Sequence, residues 1–315
     1  MRLFAVWVYL AWRSLLTKIA RSFDPVRRTR GRVICWMLRY GDYRLLLGLA
    51  AVGRWLKLSD RGERQRAFVA AANKQCLLDD ERQVDFVKIS QRRRLLELAA
   101  TVGQNAQVMA QLDRCKAELN AVVEPLHQAG SPVVLAPLHM VSDMLAGLVG
   151  GAAYPGKATV IVSASIEVYN EKFRQQGGVD LSYCSIHDDN RAIAGNLMTA
   201  IMEATEHQRN IMIFPDITPD YTVNANKAET AKLHCRLFDR PANVHSGVIR
   251  IARALSAQVV FYYLYYDKEI KIHIYPPTSA RSLKSSLPEI IESSITRHPQ
   301  DWLLWHSHSL FFINE

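Results

Sequence analysis

The chain has 315 residues, 49% of them hydrophobic, with 39 Lys and Arg set against 30 Asp and Glu. That length and apolar content exclude a disordered chain and allow a substantial core of one large or two small domains. The five cysteines, Cys35, Cys76, Cys115, Cys184 and Cys235, are scattered, odd in number and free of any C-x-x-C pair, which argues against a disulfide framework or zinc site and for a reducing compartment.

The charge is unevenly placed. The first 100 residues hold 21 Lys and Arg against 9 Asp and Glu, a net of +12, while the remainder carries −3. A basic segment of this kind suits anionic lipid, nucleic acid or an acidic protein. Zinc-finger, RNP-type and basic-zipper patterns are missing, so no nucleic-acid partner is expected.

From Leu3 to Leu16 the run LFAVWVYLAWRSLL is apolar and aromatic, and Lys18, Arg21, Arg27, Arg28, Arg30 and Arg32 follow it. It is short of the ~20 apolar residues that span a bilayer. An amphipathic helix over residues 1–30, lying in the membrane surface with its arginines at the anionic cytoplasmic face, is the expected reading. A secretory signal and a helix packed on the domain are the competing ones.

Residues 31–124 read mainly as helix, with apolar spacing in Leu45 to Leu58, Glu63 to Leu78 and Gln91 to Val123. The pattern changes in 125–315. VVLAPL, ATVIVSA, NIMIFPD, AQVVFYYLYY and IKIHIYP are β-rich, and helical stretches at Val168 to Gln176, Arg191 to Glu206 and Val248 to Leu255 separate most of them. Alternation of this kind predicts an α/β fold: a mixed, mostly parallel central sheet flanked by helices, in a single domain over 31–315. The last two runs, divided by Asp267 and Lys268, predict an antiparallel hairpin at one edge.

The most informative stretch is PVVLAPLHMVSDMLAGLVGG, Pro132 to Gly151, where an apolar strand delivers His139 and Asp143 to a turn. If the chain is helical from His139 onward, positions i and i+4 share a face, and the Asp143 carboxylate reaches the imidazole and sets its tautomer. That pair makes a general base.

Four segments together resemble the bacterial late acyltransferases of lipid A biosynthesis, relatives of the lysophospholipid acyltransferases. They are the histidine block PVVLAPLHMVSDMLAG, the strand end NIMIFPDITPDY, the segment LFDRPANVHSGVIRIARALSAQVVFYY and the closing IESSITRHPQDWLLWHSH. Order and spacing agree from about Pro132 to His308. The chain departs from the family pattern in three places. Met144 stands where the family has its carboxylate, with Asp143 one residue earlier. The strand VIVSAS, Val160 to Ser165, lacks the family's Tyr-Arg. The P-D-x-D-Y element carries one extra residue, so Asp216 and Asp220 both qualify as its acid.

The resemblance implies transfer of a fatty acyl group from acyl carrier protein, or another acyl thioester, to a hydroxyl of a glycolipid at the cytoplasmic face of the inner membrane. The acceptor would be a lipid A precursor or the lipid terminus of a surface polysaccharide. His139 is the candidate base and Asp143 its orienting carboxylate. Asp216 and Asp220 are candidates for holding the acceptor, the N–H groups of Ser246 and Gly247 for an oxyanion hole, and Arg250, with Arg253, for substrate phosphate. No cofactor or metal is expected, because His306 and His308 lack a third ligand at suitable spacing. Two rivals stand beside this reading: an inactive relative that binds lipid or a partner, motivated by the displaced carboxylate, and a metal-dependent hydrolase.

Overall fold

The computed structural model describes residues 24–55, 61–78, 84–162, 180–185, 190–217 and 232–306. The N-terminal apolar run, the expected helix at Val168 to Gln176, Asp220 and His308 lie outside the described residues. Among the described residues, five helices precede the first strand: α1 Asp24–Tyr40, α2 Tyr43–Trp55, α3 Arg61–Leu77, α4 Phe86–Thr101 and α5 Ala106–Gln128. α1 runs through residue 30, the expected boundary. Among the described residues no helix is long and apolar enough to cross a membrane.

The stretch from Gln91 to Val123 is two helices rather than one continuous pattern. The break is built by Gly103, where a Cβ would lie 2.9 Å from the Leu38 backbone carbon, so only glycine lets α1 approach there. Asn105 then caps α5 by accepting from the Gln107 and Val108 N–H groups, while its amide donates to the Leu38 and Gly41 carbonyls that end α1.

The remainder alternates strand and helix. β1 Val133–Pro137, α6 Asp143–Gly151, β2 Lys157–Val162, β3 Asp180–Ser185, α7 Asn190–Thr205 and β4 Asn210–Ile213 are followed by β5 Lys232–Leu237 and β6 Arg240–His245. Then come α8 Gly247–Leu255, β7 Gln258–Asp267, β8 Glu269–Ile274, the short β9 Thr278–Ser279, α9 Leu283–Arg297 and a 3₁₀ turn at Leu304–His306. A seven-stranded sheet runs β3-β2-β4-β1-β7-β8, with β9 also on β7; β5 and β6 form a separate ribbon. The first five strands of that order are mutually parallel, and β8 and β9 are antiparallel to β7. The mostly parallel sheet flanked by helices is therefore present, and so is the β7–β8 hairpin, turning at Lys268 with φ 60°.

The middle of the sheet is buried on both faces, which is why β1 and the Val259–Leu264 part of β7 are apolar at successive positions rather than alternately. Val134, Ala136, Ile211, Ile213, Val259 and Phe261 point into one core shared with α8, α9 and Trp302. Val133, Leu135, Met212, Val260 and Tyr262 point into the other, under α4, α5 and α6. Gly150 on α6 allows that second layer to close, since a Cβ there would sit 2.2 Å from the Tyr262 hydroxyl.

Candidate active site

His139 leaves the end of β1, and Asp216 follows three residues after the end of β4. Because β1 and β4 are parallel neighbours, with Leu135 opposite Met212, their C-terminal ends lie side by side. Two side chains 77 residues apart thereby meet. The His139 Nδ1 lies 2.7 Å from Asp216 Oδ1, and the His139 backbone N–H donates to Asp216 Oδ2 at 2.9 Å. Trp302 Nε1–H donates to the same Oδ2 at 3.2 Å.

Asp216 is 1% exposed. A buried carboxylate accepts only, so its three partners are all donors, and the imidazole must carry its proton on Nδ1. That leaves Nε2 with a free lone pair; it makes no hydrogen bond with a described residue, and 12% of the side chain is exposed. Burial alone lowers the pKa of His139. The negative charge and hydrogen bond of Asp216, aided by Asp143, outweigh it and set the pKa above the ordinary histidine value.

The expected His139–Asp143 pairing is replaced by this one. The helix starts at Asp143, not at His139, so the i, i+4 geometry never applies. Between them Val141 takes φ 57°, a left-handed conformation that a β-branched residue adopts only under constraint, at a cost of about 1–3 kcal/mol. Its N–H is held by the Asp301 carbonyl at 2.8 Å, and Met140 bridges Trp302. Asp143 turns instead to Arg93 Nη2 at 2.6 Å, and Arg93 Nε pairs with Glu97 at 2.8 Å. Glu97 accepts from the Ser142 hydroxyl, which also caps α6. Asp143 therefore acts on His139 only through space.

The loop that carries Trp302 is anchored from below. Asp301, fully buried, pairs with the buried Arg92 and accepts the Tyr266 N–H at 3.1 Å. Burial pushes its carboxyl upward in pKa, against the opposing pull of Arg92 and the Tyr266 N–H. Leu303 N–H closes back on the His139 carbonyl at 2.8 Å.

The start of α8 lies at the same sheet edge: a Cβ on Gly247 would be 3.0 Å from the Ile213 side chain at the end of β4. Its N–H, expected to face an oxyanion, donates to His245 Nδ1 at 3.0 Å. The His245 ring folds back over the first turn because Ser246 has φ −82° and ψ 1°, away from the extended conformation of a capping residue, and its hydroxyl makes no cap bond. Burial, then the charge of Arg250, lowers the pKa of His245. Arg250 itself is exposed, as is Arg253.

Sequence reasoning placed His139 and named Asp216, but as an acceptor-binding residue. It missed Trp302, Arg93 and Glu97, whose roles depend on contacts across the fold. Among the described residues no group of three or more His, Cys, Asp or Glu is arranged to hold a metal ion. No protein-family model and no curated protein matches the chain.

Proposed function

We propose that the protein is an O-acyltransferase acting at a membrane surface, moving a fatty acyl chain from acyl carrier protein or another acyl thioester to a hydroxyl of a bacterial glycolipid. The observation that carries this reading is the His139–Asp216 pair at the C-terminal edge of two adjacent parallel strands, with Nε2 left for a substrate proton. Ligands of open α/β sheets bind beyond that edge.

A hydroxyl is a weak nucleophile at its own pKa. Neutral His139 takes its proton on Nε2 as the oxygen attacks the thioester carbon, and Asp216 stabilises the imidazolium that forms. The tetrahedral intermediate then expels the thiolate, the C–S bond breaks, and the imidazolium returns the proton to sulfur. The base is regenerated without a covalent acyl-enzyme. Asp143 is turned to Arg93 rather than to the imidazole, and Asp216 supplies the carboxylate whose displacement motivated an inactive relative. The resemblance of the histidine block and closing segment supports a lipid A precursor or the lipid terminus of a surface polysaccharide as acceptor. The basic N-terminal third supports docking at the cytoplasmic face of the inner membrane, where such an acceptor resides.

Mass spectrometry of glycolipids and capsule lipids from cells carrying wild-type, His139→Ala or Asp216→Asn protein tests the reading. Loss of one acyl group in both variants is expected, and its mass identifies acceptor and chain length. Unchanged lipids in both would overturn it.

A further inference from the structure

Beside the His139–Asp216 pair, α3, α4 and the closing turn enclose a cavity of about 230 Å³. Arg66 from α3 and Arg93 and Arg94 from α4 line it, with Glu97 as the carboxylate among them and Trp302 and Trp305 as the aromatic wall. Two of its residues belong to the site as well. Trp302 binds Asp216 through its indole N–H, and Arg93 binds Asp143 through one arm of its guanidinium. The cavity thus shares a wall with the catalytic pair.

We infer that this cavity is a phosphate subsite of the substrate, an inference that rests on the acyl-transfer reading and deepens it. Arg93 is taken up by Glu97 and Asp143, so the positive charge that the cavity can offer an anion such as a phosphate ester is that of Arg66 and Arg94. Guanidinium is the group best shaped for phosphate, because its planar fork meets two oxygens at once. Among the described residues, Arg66 and Arg94 form no ion pair. The volume lies below the ~300–1,000 Å³ of pockets that enclose a drug-sized ligand. It fits a phosphorylated headgroup and leaves the acyl chains outside.

Two substrates carry phosphoesters: the acceptor sugar, as a monoester, and the donor's phosphopantetheine, as a diester. Calorimetric titration of the full-length, detergent-solubilised protein with glucosamine 1-phosphate and, separately, with holo acyl carrier protein distinguishes them. The two arginines predict saturable binding of the sugar phosphate, weakened at least about tenfold, or 1.4 kcal/mol, in Arg66→Gln/Arg94→Gln. Arg114→Gln, on α5 and paired with Glu269, should bind as the wild type does. Loss confined to the carrier-protein titration would keep the phosphate subsite and assign it to the donor. No saturable binding of either up to millimolar concentrations, or binding that the double variant leaves unchanged, would overturn it. His139→Ala should bind normally. Binding by a wild-type protein that shows no acyl-transfer activity would sink the acyl-transfer reading while leaving the subsite standing.

Discussion

Asp216→Asn changes one atom and tests the whole arrangement of the site. Oδ2 of Asp216 receives two N–H groups, from His139 at 2.9 Å and from Trp302 at 3.2 Å, so the asparagine must keep its oxygen on that side. Its NH₂ then faces Nδ1 of His139, where the present contact is 2.7 Å. Two donors cannot meet, and the imidazole is forced into the tautomer with its proton on Nε2, where the base must be free. In a Ser-His-Asp triad the same exchange lowers kcat about 10⁴-fold. Here the expected loss is roughly 10³ to 10⁴, or about 4–5.5 kcal/mol of barrier.

The pH profile supplies a second readout. With the carboxylate charge gone, the burial that lowers the pKa of His139 acts unopposed by it, so the variant's residual activity should rise with pH at a midpoint below the wild type's, which itself lies above about 6.5. Steady-state acyl transfer from acyl carrier protein across a pH series measures both quantities, and thermal unfolding confirms that the near-isosteric variant folds. Asp143→Asn should cost far less, because its pair with Arg93 is partly exposed and worth about 0–1 kcal/mol. Retention of more than about a tenth of kcat by Asp216→Asn, or an equal loss in Asp143→Asn, would refute the assignment of Asp216 as the orienting carboxylate.

Three further outcomes follow from the packing and the charges. Asp301→Asn leaves the Arg92 guanidinium buried without its counter-charge and should destabilise by about 3–5 kcal/mol in urea unfolding, a loss below about 1 kcal/mol contradicting the anchoring role. Gly150→Ala places a methyl 2.2 Å from the Tyr262 hydroxyl and should cost about 1–3 kcal/mol; a double-mutant cycle with Tyr262→Phe should show partial rescue, and strict additivity would mean that the two do not meet. His139, facing Asp216, Asp143 and Arg93, has a raised native pKa, so its ion pair adds stability that is complete below the unfolded value of about 6.5 and fades as pH rises through the native one. The unfolding free-energy gap between wild type and His139→Asn should accordingly widen toward about pH 5.5, and a gap that widens toward alkaline pH would reverse the sign of the argument.

The strands and helices were legible wherever a local pattern decides them. Val133–Pro137 and the Val259–Leu264 part of the next strand over are apolar and buried throughout because a sheet covered on both faces leaves no wet side, and that shows in the sequence as a continuous run. The ribbon of β5 and β6 was not legible: KLHCRL and RPANVH carry mixed polarity, since the pair is only half buried and its strands are held mainly by each other. The resemblance of the closing segment marked Trp302 as part of a motif without saying what it touches.

His139 could be found from its own neighbourhood, at the end of a buried strand, but its partner could not. Spacing favoured Asp143 because four residues make one helical turn, and no sequence rule shows that Val141 would enter the left-handed region and delay the helix until Asp143. The true partner was selected by strand order. The chain leaves β1, builds β2 and β3, and returns to insert β4 between β2 and β1, and that non-local pairing alone brings Asp216 beside the imidazole. Periodicity records which face of an element is buried, because burial acts residue by residue along the chain. Which two elements become neighbours depends on packing summed over the whole fold, and the chemistry of this site depends on that choice.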